Sequence, residues 1–232
     1  MFIRSFSAGP WETNCYLVAP SAKSECVIID PGYECAEQVG AIVSEFGLKP
    51  VAVLVTHGHL DHMWSVFPVA KGYDIPAFIH GRDRSLLANP LAGVSNETVL
   101  AMRHLAPAGL SFVEPDSVIE IGDRAALSLG GMSLSVMHAP GHTPGSVLFD
   151  FLDSEVELNN IFTGDVLFQR AIGRTDLPGG SASAMEKSLK EVVLPLADDS
   201  LIFPGHGPST TMEIERATNP YLRRVAQGLS LS

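Results

Sequence analysis

The sequence has few cysteines, few basic residues and no long apolar run. Its 232 residues include only 3 cysteines, without a Cys-x-x-Cys pair, so a disulfide framework is not indicated and a reducing cytoplasm is the expected location. The 15 Lys and Arg against 26 Asp and Glu give a net charge of −11, which argues against binding to nucleic acid or to a membrane surface. No run reaches the roughly 18 apolar residues that a membrane span needs. Glu12 and Asn14 interrupt the N-terminal segment, so a secretory signal is not expected either.

The composition is otherwise that of a globular domain. Hydrophobic residues make up 46% of the chain and charged residues 18%, which is enough apolar material for a core. Apolar runs bounded by turn residues predict buried strands in both halves of the chain, at 17–18, 26–29, 51–55, 127–129, 132–137, 146–151, 156–162 and 201–203. Helical spacing predicts helices at 34–46, which Gly47 ends, at 63–71, and after a capping box that begins at Ser183.

Strands and helices are mixed in both halves, and no linker separates the halves. We therefore predict one α/β domain over residues 1–232, with two sheets between layers of helices. Pro and Gly interrupt the region at about 82–112, which we interpret as an irregular insertion. Residues 209–232 are expected to form a short helical tail.

The densest group of reactive side chains directly follows the predicted strand at 51–55. His57, His59, Asp61 and His62 lie within six consecutive residues. Burying that many polar groups without partners would cost several kcal/mol each, whereas imidazole and carboxylate are preferred ligands of zinc-like ions. The segment therefore indicates a metal site, with a solvated histidine-rich loop as the alternative.

Three further residues of the same chemical types also follow strand-like runs. His142 lies between two Pro/Gly turns, Asp165 ends the run Phe-Thr-Gly-Asp, and His206 is flanked by glycines. Each of them alone is typical of an ordinary turn or cap. Together with the first group they supply enough donors for two metal ions.

The motifs HxHxDH, GHTPGS, TGD and PGHG, in this order, resemble those of the metallo-β-lactamase superfamily. The resemblance extends from the turn that begins at Asp30 to Gly207. It implies a four-layer αββα sandwich and a division of the ligands, with Asp165 bridging two ions. The first ion would be bound by His57, His59 and His142, and the second by Asp61, His62 and His206. Three other histidines match no ligand position: His80, His104 and His138.

A glycine-rich segment after Asp165 resembles the GRTD segment of the glyoxalase II and persulfide dioxygenase branch. Its two arginines could hold an anionic substrate tail or brace the metal ligands. A structural Arg174–Asp176 pair that closes a turn is the alternative. The candidates for contacts behind the ligands or with substrate are Asp30, Arg170, Arg174 and Asp176.

The ending Leu-Pro-Gly-Gly of this segment resembles short glyoxalase II-type hydrolases. The resemblance implies a binuclear hydrolase of thioesters, which converts an S-2-hydroxyacyl thiol into a hydroxy acid and a thiol. Asp61 would also orient the hydroxide shared by the ions. Zinc is the expected metal, and iron or manganese also suit such a ligand set. The expected partner is a small-molecule thioester, while the acyl group, the thiol and the oligomeric state stay open.

Two alternatives to this function are a mononuclear iron persulfide dioxygenase and a non-enzymatic metal-binding module. The dioxygenase would use only His57, His142 and Asp165. The intact second ligand set favours the hydrolase, and the retention of all seven ligands disfavours a module without activity.

Metal stoichiometry tests the division of the ligands. Seven ligands in two sets predict about two ions per chain, roughly 3.5–4 Å apart, in fully loaded protein. Elemental analysis of the purified, metal-saturated chain measures this ratio. A single tightly held ion that activity never needs to exceed would favour the dioxygenase instead.

Overall fold

The computed structural model of the chain describes residues 1–105, 111–153 and 156–231. The first of its two sheets contains six strands in chain order: β1 (Phe2–Ala8), β2 (Thr13–Ala19), β3 (Glu25–Ile29), β4 (Lys49–Leu54), β5 (Ala77–His80) and β6 (Val118–Ile121). The pairs β1–β2 and β2–β3 are antiparallel, and the strands from β3 to β6 are parallel to one another.

The second sheet also has six strands, again adjacent in chain order: β7 (Ala126–Leu129), β8 (Met132–His138), β9 (Val147–Asp153), β10 (Leu158–Gly164), β11 (Leu201–Pro204) and β12 (Thr210–Thr211). All its pairs are antiparallel except β10 with β11. The strands β8, β10 and β11 therefore point in the same direction and end at the same edge of the sheet.

Helices connect and cover the strands: α1 (Ala36–Phe46), α2 (Leu60–Met63), α3 (Val66–Tyr73), α4 (Asn96–Leu105), α5 (Ala182–Ser188), α6 (Met212–Thr218) and α7 (Pro220–Ala226). A π-helical turn, Leu189–Val193, continues α5. Within the described residues, no helix is both long and apolar enough to cross a membrane.

Three hydrophobic clusters fill the spaces between four layers. In β3, Val27 and Ile29 face the second sheet, while Cys26 and Ile28 face the layer of α1 and α3. This alternation follows from the two-residue period of a strand. A third cluster packs the outer face of the second sheet against α5, α6 and α7. Large aromatic side chains fill the space between the sheets: Phe149, Phe151 and Phe162. The four-layer αββα sandwich predicted from the sequence is thereby confirmed.

The regions predicted as an insertion and a tail have their own short elements. Residues 82–112 contain two 3₁₀ turns, Arg84–Leu87 and Pro90–Gly93, followed by α4, and residues 106–110 lie outside the described residues. The tail at 209–232 contains α6 and α7, and its last residue is also outside them.

Some helix boundaries differ from the sequence-based prediction. The single helix predicted at 63–71 is divided into α2 and α3, and α3 continues through Gly72 to Tyr73. Its C-cap is Asp74, which has a left-handed backbone conformation. The N-cap of α5 is Ser181 and not Ser183, because the Ser181 hydroxyl accepts the Ala184 N–H at 3.3 Å. The carboxylate of Glu186 accepts a distant N–H, that of Leu231, and so does not complete the predicted capping box.

This assignment of the cap predicts different effects for two neighbouring serines. Ser181→Ala should lower the free energy of unfolding by about 1 kcal/mol, because an N–H at the start of α5 loses its acceptor. Ser183→Ala serves as the control and should stay within about 0.5 kcal/mol of the wild type. Urea unfolding of both variants measures the difference. A larger loss of unfolding free energy in Ser183→Ala than in Ser181→Ala would support the capping box at Ser183 instead.

Candidate metal centre

The structure brings the seven predicted metal ligands together at the carboxyl ends of strands from both sheets. β4 leads into the loop that carries four of them, and the other three follow β8, β10 and β11. Their ligand atoms form three groups, each with all atoms within 4.8 Å of one another: His57, His59 and His142; His57, His62 and Asp165; Asp61, His62 and His206.

The first group consists of three buried imidazoles. His59 Nδ1 lies 2.8 Å from His142 Nε2, and the buried His57 Nε2 has no hydrogen-bond partner among the described residues. Burial and the neighbouring histidines lower the pKa of His57, and burial and His142 lower the pKa of His59 to about 3. These rings are therefore neutral, which is the form that binds a metal. An orphaned nitrogen aimed at two other lone pairs fits a divalent cation.

The group of Asp61, His62 and His206 mixes imidazole and carboxylate. His206 Nε2 lies 3.2 Å from Asp61 Oδ2 and 3.3 Å from His62 Nε2. Burial raises the pKa of Asp61, but the nearby histidines outweigh it and hold the pKa at about 2. Burial also lowers the pKa of His206, whereas Asp165 and Asp61 raise it to about 9. This half of the centre therefore attracts positive charge, which a bound cation would supply in place of protons.

Asp165 lies between the group of three histidines and the group of Asp61, His62 and His206. Its Oδ1 is 3.2 Å from His62 Nε2, and its Oδ2 is 3.4 Å from His142 Nε2 and 3.5 Å from His206 Nε2, so this carboxylate lies next to ligands of both groups. Burial opposes ionisation of this carboxylate, but His62 and His206 hold its pKa well below the usual range. A carboxylate in this position can contact both sites.

Asp30 fixes the orientation of two ligands from behind. Its Oδ2 accepts hydrogen bonds from His62 Nδ1 at 2.9 Å and from the Thr56 hydroxyl at 2.6 Å, and its Oδ1 accepts the Thr56 N–H at 2.7 Å. Because the Thr56 hydroxyl donates to Asp30, its oxygen is free to accept from His57 Nδ1 at 3.1 Å. Both rings thus present Nε2 to the centre.

Other ligands are held by groups that no sequence motif indicates. The carbonyl oxygen of Trp11 accepts from His206 Nδ1 at 2.9 Å, and the Thr13 hydroxyl donates to Asp61 Oδ2 at 2.9 Å. Both residues come from the start of the chain, 48 residues or more before their partners. A backbone carbonyl and a single threonine belong to no recognisable sequence motif, so these two contacts could not be predicted from the sequence.

The two arginines after Asp165 act in different ways. The Arg174 side chain forms a two-bond ion pair with Asp176, both distances 2.7 Å, and the two side chains are 60% and 67% exposed. It is the Arg174 carbonyl oxygen that accepts from His142 Nδ1, at 2.7 Å. Arg170 is exposed, and its backbone N–H donates to Glu215. The segment therefore braces a ligand through its backbone while the ion pair closes a turn.

Two of the histidines without an expected ligand role, His80 and His138, belong to none of the three groups. His80 and His138 stack with their ring centroids 4.1 Å apart, and His138 Nε2 donates to the Pro144 carbonyl at 2.9 Å. The side chain of His104 lies outside the described residues.

A cleft of about 330 Å³ opens over the centre. Its floor is polar and includes His59, Asp61, His142, Asp165 and His206. Its walls are mainly apolar: Trp11, Leu60, Val94, Phe168 and Leu177. The cleft has the size and lining of a site for a small organic molecule.

Comparisons with known proteins agree with the fold. A family model described as the Metallo-beta-lactamase superfamily matches residues 8–206. An uncharacterized protein of Mycobacterium tuberculosis is 40% identical over 232 residues, which cover 99% of this chain and 100% of the relative. The hydroxyacylglutathione hydrolase GloC of Haemophilus influenzae is 34% identical over 218 residues, covering 91% of this chain and 93% of the relative.

Solved structures with a similar fold give the same assignment of the fold. The BLEG-1 B3 metallo-beta-lactamase superposes with a TM-score of 0.80 at 33% identity, over 95% of this chain and 99% of that one. TTHA1623, in a di-iron-bound form, has a TM-score of 0.74 at 36% identity, over 94% and 99%. ETHE1 from Myxococcus xanthus shares the fold, with a TM-score of 0.74 at 23% identity, over 97% and 90%.

A close backbone contact behind the centre generates a prediction. A Cβ on Gly173 would overlap the carbonyl oxygen of Asp165 and lie 2.9 Å from His142 Nδ1. Gly173→Ala should therefore lower the free energy of unfolding by about 1–3 kcal/mol and weaken metal binding at least about tenfold.

Gly72→Ala is the matched control, because a Cβ on this glycine of α3 would have nothing within 4 Å. It should leave metal binding unchanged and stability equal or slightly higher, since alanine is the better helix former. Chemical unfolding and competition with a chelator measure both quantities. Equal metal affinity in the two variants would contradict the packing argument.

Proposed function

This chain belongs to the metallo-beta-lactamase superfamily, and we propose that it is a thioester hydrolase that splits an S-2-hydroxyacyl thiol into a hydroxy acid and a thiol. The observation that carries the proposal is the pair of ligand groups joined by Asp165, which suits two ions and not one. The similarity to GloC, a protein named as a hydroxyacylglutathione hydrolase, supports the substrate class.

The first cation would be held by His57, His59 and His142, and the second by Asp61, His62 and His206, with Asp165 shared. Two divalent ions bound there would make water more acidic and polarise a carbonyl oxygen. Zinc suits the imidazole and carboxylate donors, and iron or manganese also accept them. The di-iron form of TTHA1623 supports keeping iron among the candidates.

Asp61 is proposed to orient the attacking water. Its carboxylate is ionised, and the Thr13 hydroxyl and His206 fix one of its oxygens, Oδ2, from two sides. The Asp61 carboxylate can therefore accept a hydrogen bond from water without rotating. Since Asp61 also lines the floor of the cleft, the water that it holds faces the substrate.

The apolar walls are proposed to hold the acyl group and to exclude bulk water from the reacting carbon. Trp11 and Phe168 line the cleft and both contact His206. The Trp11 carbonyl accepts a hydrogen bond from His206, and the Phe168 ring packs edge to face on His206 with ring centroids 5.9 Å apart. A thiolate is a good leaving group, so the reaction needs no dedicated general acid. The proposed partner is thus a small thioester and neither a nucleic acid nor a membrane surface.

The persulfide dioxygenase remains the alternative reaction, for which the likeness to ETHE1 shows only the fold. It would leave Asp61, His62 and His206 without a role in the chemistry. Their mutual distances of 3.2–3.5 Å and the fixed orientation of each ring support a second ion and therefore hydrolysis.

Anaerobic assay of defined metal forms separates the two reactions. We expect zinc-loaded protein to hydrolyse S-lactoyl thioesters without oxygen, and metal removal to lower the rate by at least about 100-fold, because bound cations contribute several kcal/mol to such reactions. Iron-loaded protein should consume no oxygen with glutathione persulfide.

A chromogenic cephalosporin is assayed in parallel, because BLEG-1 is named as a beta-lactamase. Oxygen uptake with sulfite formation, without thioester turnover for any metal, would replace the hydrolase by the dioxygenase. Cephalosporin turnover without thioester turnover would change the substrate class.

A further inference from the structure

Asp83 is a completely buried carboxylate outside the predicted ligand set, in the region predicted as an irregular insertion. Three donors surround it. Its Oδ2 accepts the Gly58 N–H at 2.9 Å and the Thr143 hydroxyl at 2.6 Å, and its Oδ1 accepts the Gly145 N–H at 2.7 Å. A buried carboxylate with this many donors is held in one orientation.

The three donors belong to the two loops that carry the first ligand group. Gly58 lies between His57 and His59, and Thr143 directly follows His142. The two loops are distant in sequence, and Asp83 is bonded to both of them. It therefore determines how far apart the loops lie, which also determines the separation of His59 Nδ1 and His142 Nε2.

Packing around Asp83 leaves little room for either loop to move. A Cβ on Gly145 would overlap the Asp83 carboxylate, and a Cβ on Gly58 would lie 2.7 Å from the Leu86 Cβ and 3.0 Å from the Asp83 carbonyl oxygen. Gly93, in the next 3₁₀ turn, would place a Cβ 3.1 Å from the His59 ring. The segment from Asp83 to Gly93 thus supports the three-histidine half of the centre.

Asp30 supports a different set of ligands. It binds His62 directly and orients His57 through Thr56, whereas the bonds of Asp83 end beside His59 and His142. We propose that Asp83 is a positioning residue of the three-histidine half and that the affinity of the ion bound by His57, His59 and His142 depends on it. The inference rests on the metal-binding part of the proposed function and not on the thioester substrate.

Substitution by asparagine tests this role with little change in volume. An amide has one acceptor oxygen, so at least one of the three donors would face an NH₂ group instead of an oxygen. Cobalt(II) titration should show two binding steps, one for each group of ligands. In Asp83→Asn, the step for the ion held by His57, His59 and His142 should be about 10- to 100-fold weaker. The step for the ion held by Asp61, His62 and His206 should be unchanged. The spectra of His142→Ala and His206→Ala identify the two steps.

Glu215→Gln is the matched control for the loss of a buried carboxylate. Glu215 is also completely buried and accepts three hydrogen bonds, from Arg170 N–H, the Thr210 hydroxyl and Asn219 Nδ2, but none of these donors adjoins a metal ligand. It should lower thermal stability and leave the cobalt spectrum and both binding steps as in the wild type.

The outcomes separate the possible explanations. Unchanged binding in Asp83→Asn, equal losses in both steps, or the same loss in Glu215→Gln would each overturn the inference. If Asp83→Asn does not fold, Thr143→Val removes one donor of the three and should weaken the same step by a smaller factor, and an unchanged step would then overturn it. Wild-type protein that binds two cobalt ions but cleaves no thioester would reject the proposed substrate and leave the role of Asp83 intact.

Discussion

The carboxylate of Asp30 lies buried at the end of β3 and accepts three hydrogen bonds from the segment that follows β4. An isolated buried carboxylate would be strongly destabilising, so these donors are needed for the fold as well as for the site. Through Thr56 and His62 the same carboxylate orients two metal ligands. The backbone of Asp30 has a left-handed φ of 49°, which turns the chain out of the sheet at this point. The same hydrogen bonds therefore stabilise the first sheet and orient the ligands.

The position of the second sheet relative to Asp30 is set by the core between the sheets. Tyr16 packs edge to face on Phe162 with ring centroids 5.0 Å apart, and its hydroxyl donates to the Pro204 carbonyl at 2.6 Å. That bond joins β2 to the end of β11, two residues before His206. Because a close-packed core resists small displacements, ligands from different sheets keep ångström-scale separations.

Charge is unevenly distributed in the centre. The imidazoles of His57 and His59 are neutral, while Asp61 and Asp165 are ionised and raise the pKa of His62. Burial alone would lower the pKa of His62, so the carboxylates dominate there. A centre built in this way exchanges protons for cations, which links metal binding to the stability of the domain.

Local patterns in the sequence were sufficient to predict the layers and the group of ligands. The apolar run at 51–55 forms β4 through Leu54, Gly47 ends α1 with a left-handed φ of 63°, and the structure brings the seven predicted ligands together. These features depend on residues close in sequence, because strand ends, caps and short histidine spacings are local. The capping box predicted at Ser183 is wrong because Ser183 lies inside α5, and the N-cap is Ser181, whose hydroxyl accepts the Ala184 N–H.

Only the tertiary structure decided which groups hold the ligands. Arg174 acts through its carbonyl oxygen, which every residue possesses, and Thr13 binds a residue 48 positions away. Asp83 lies between loops that carry His59 and His142, and nothing in its own neighbourhood in the sequence indicates either contact. The chemistry of a ligand is a property of its side chain and can be predicted from the sequence. Its orientation comes from partners that only the folded backbone brings near.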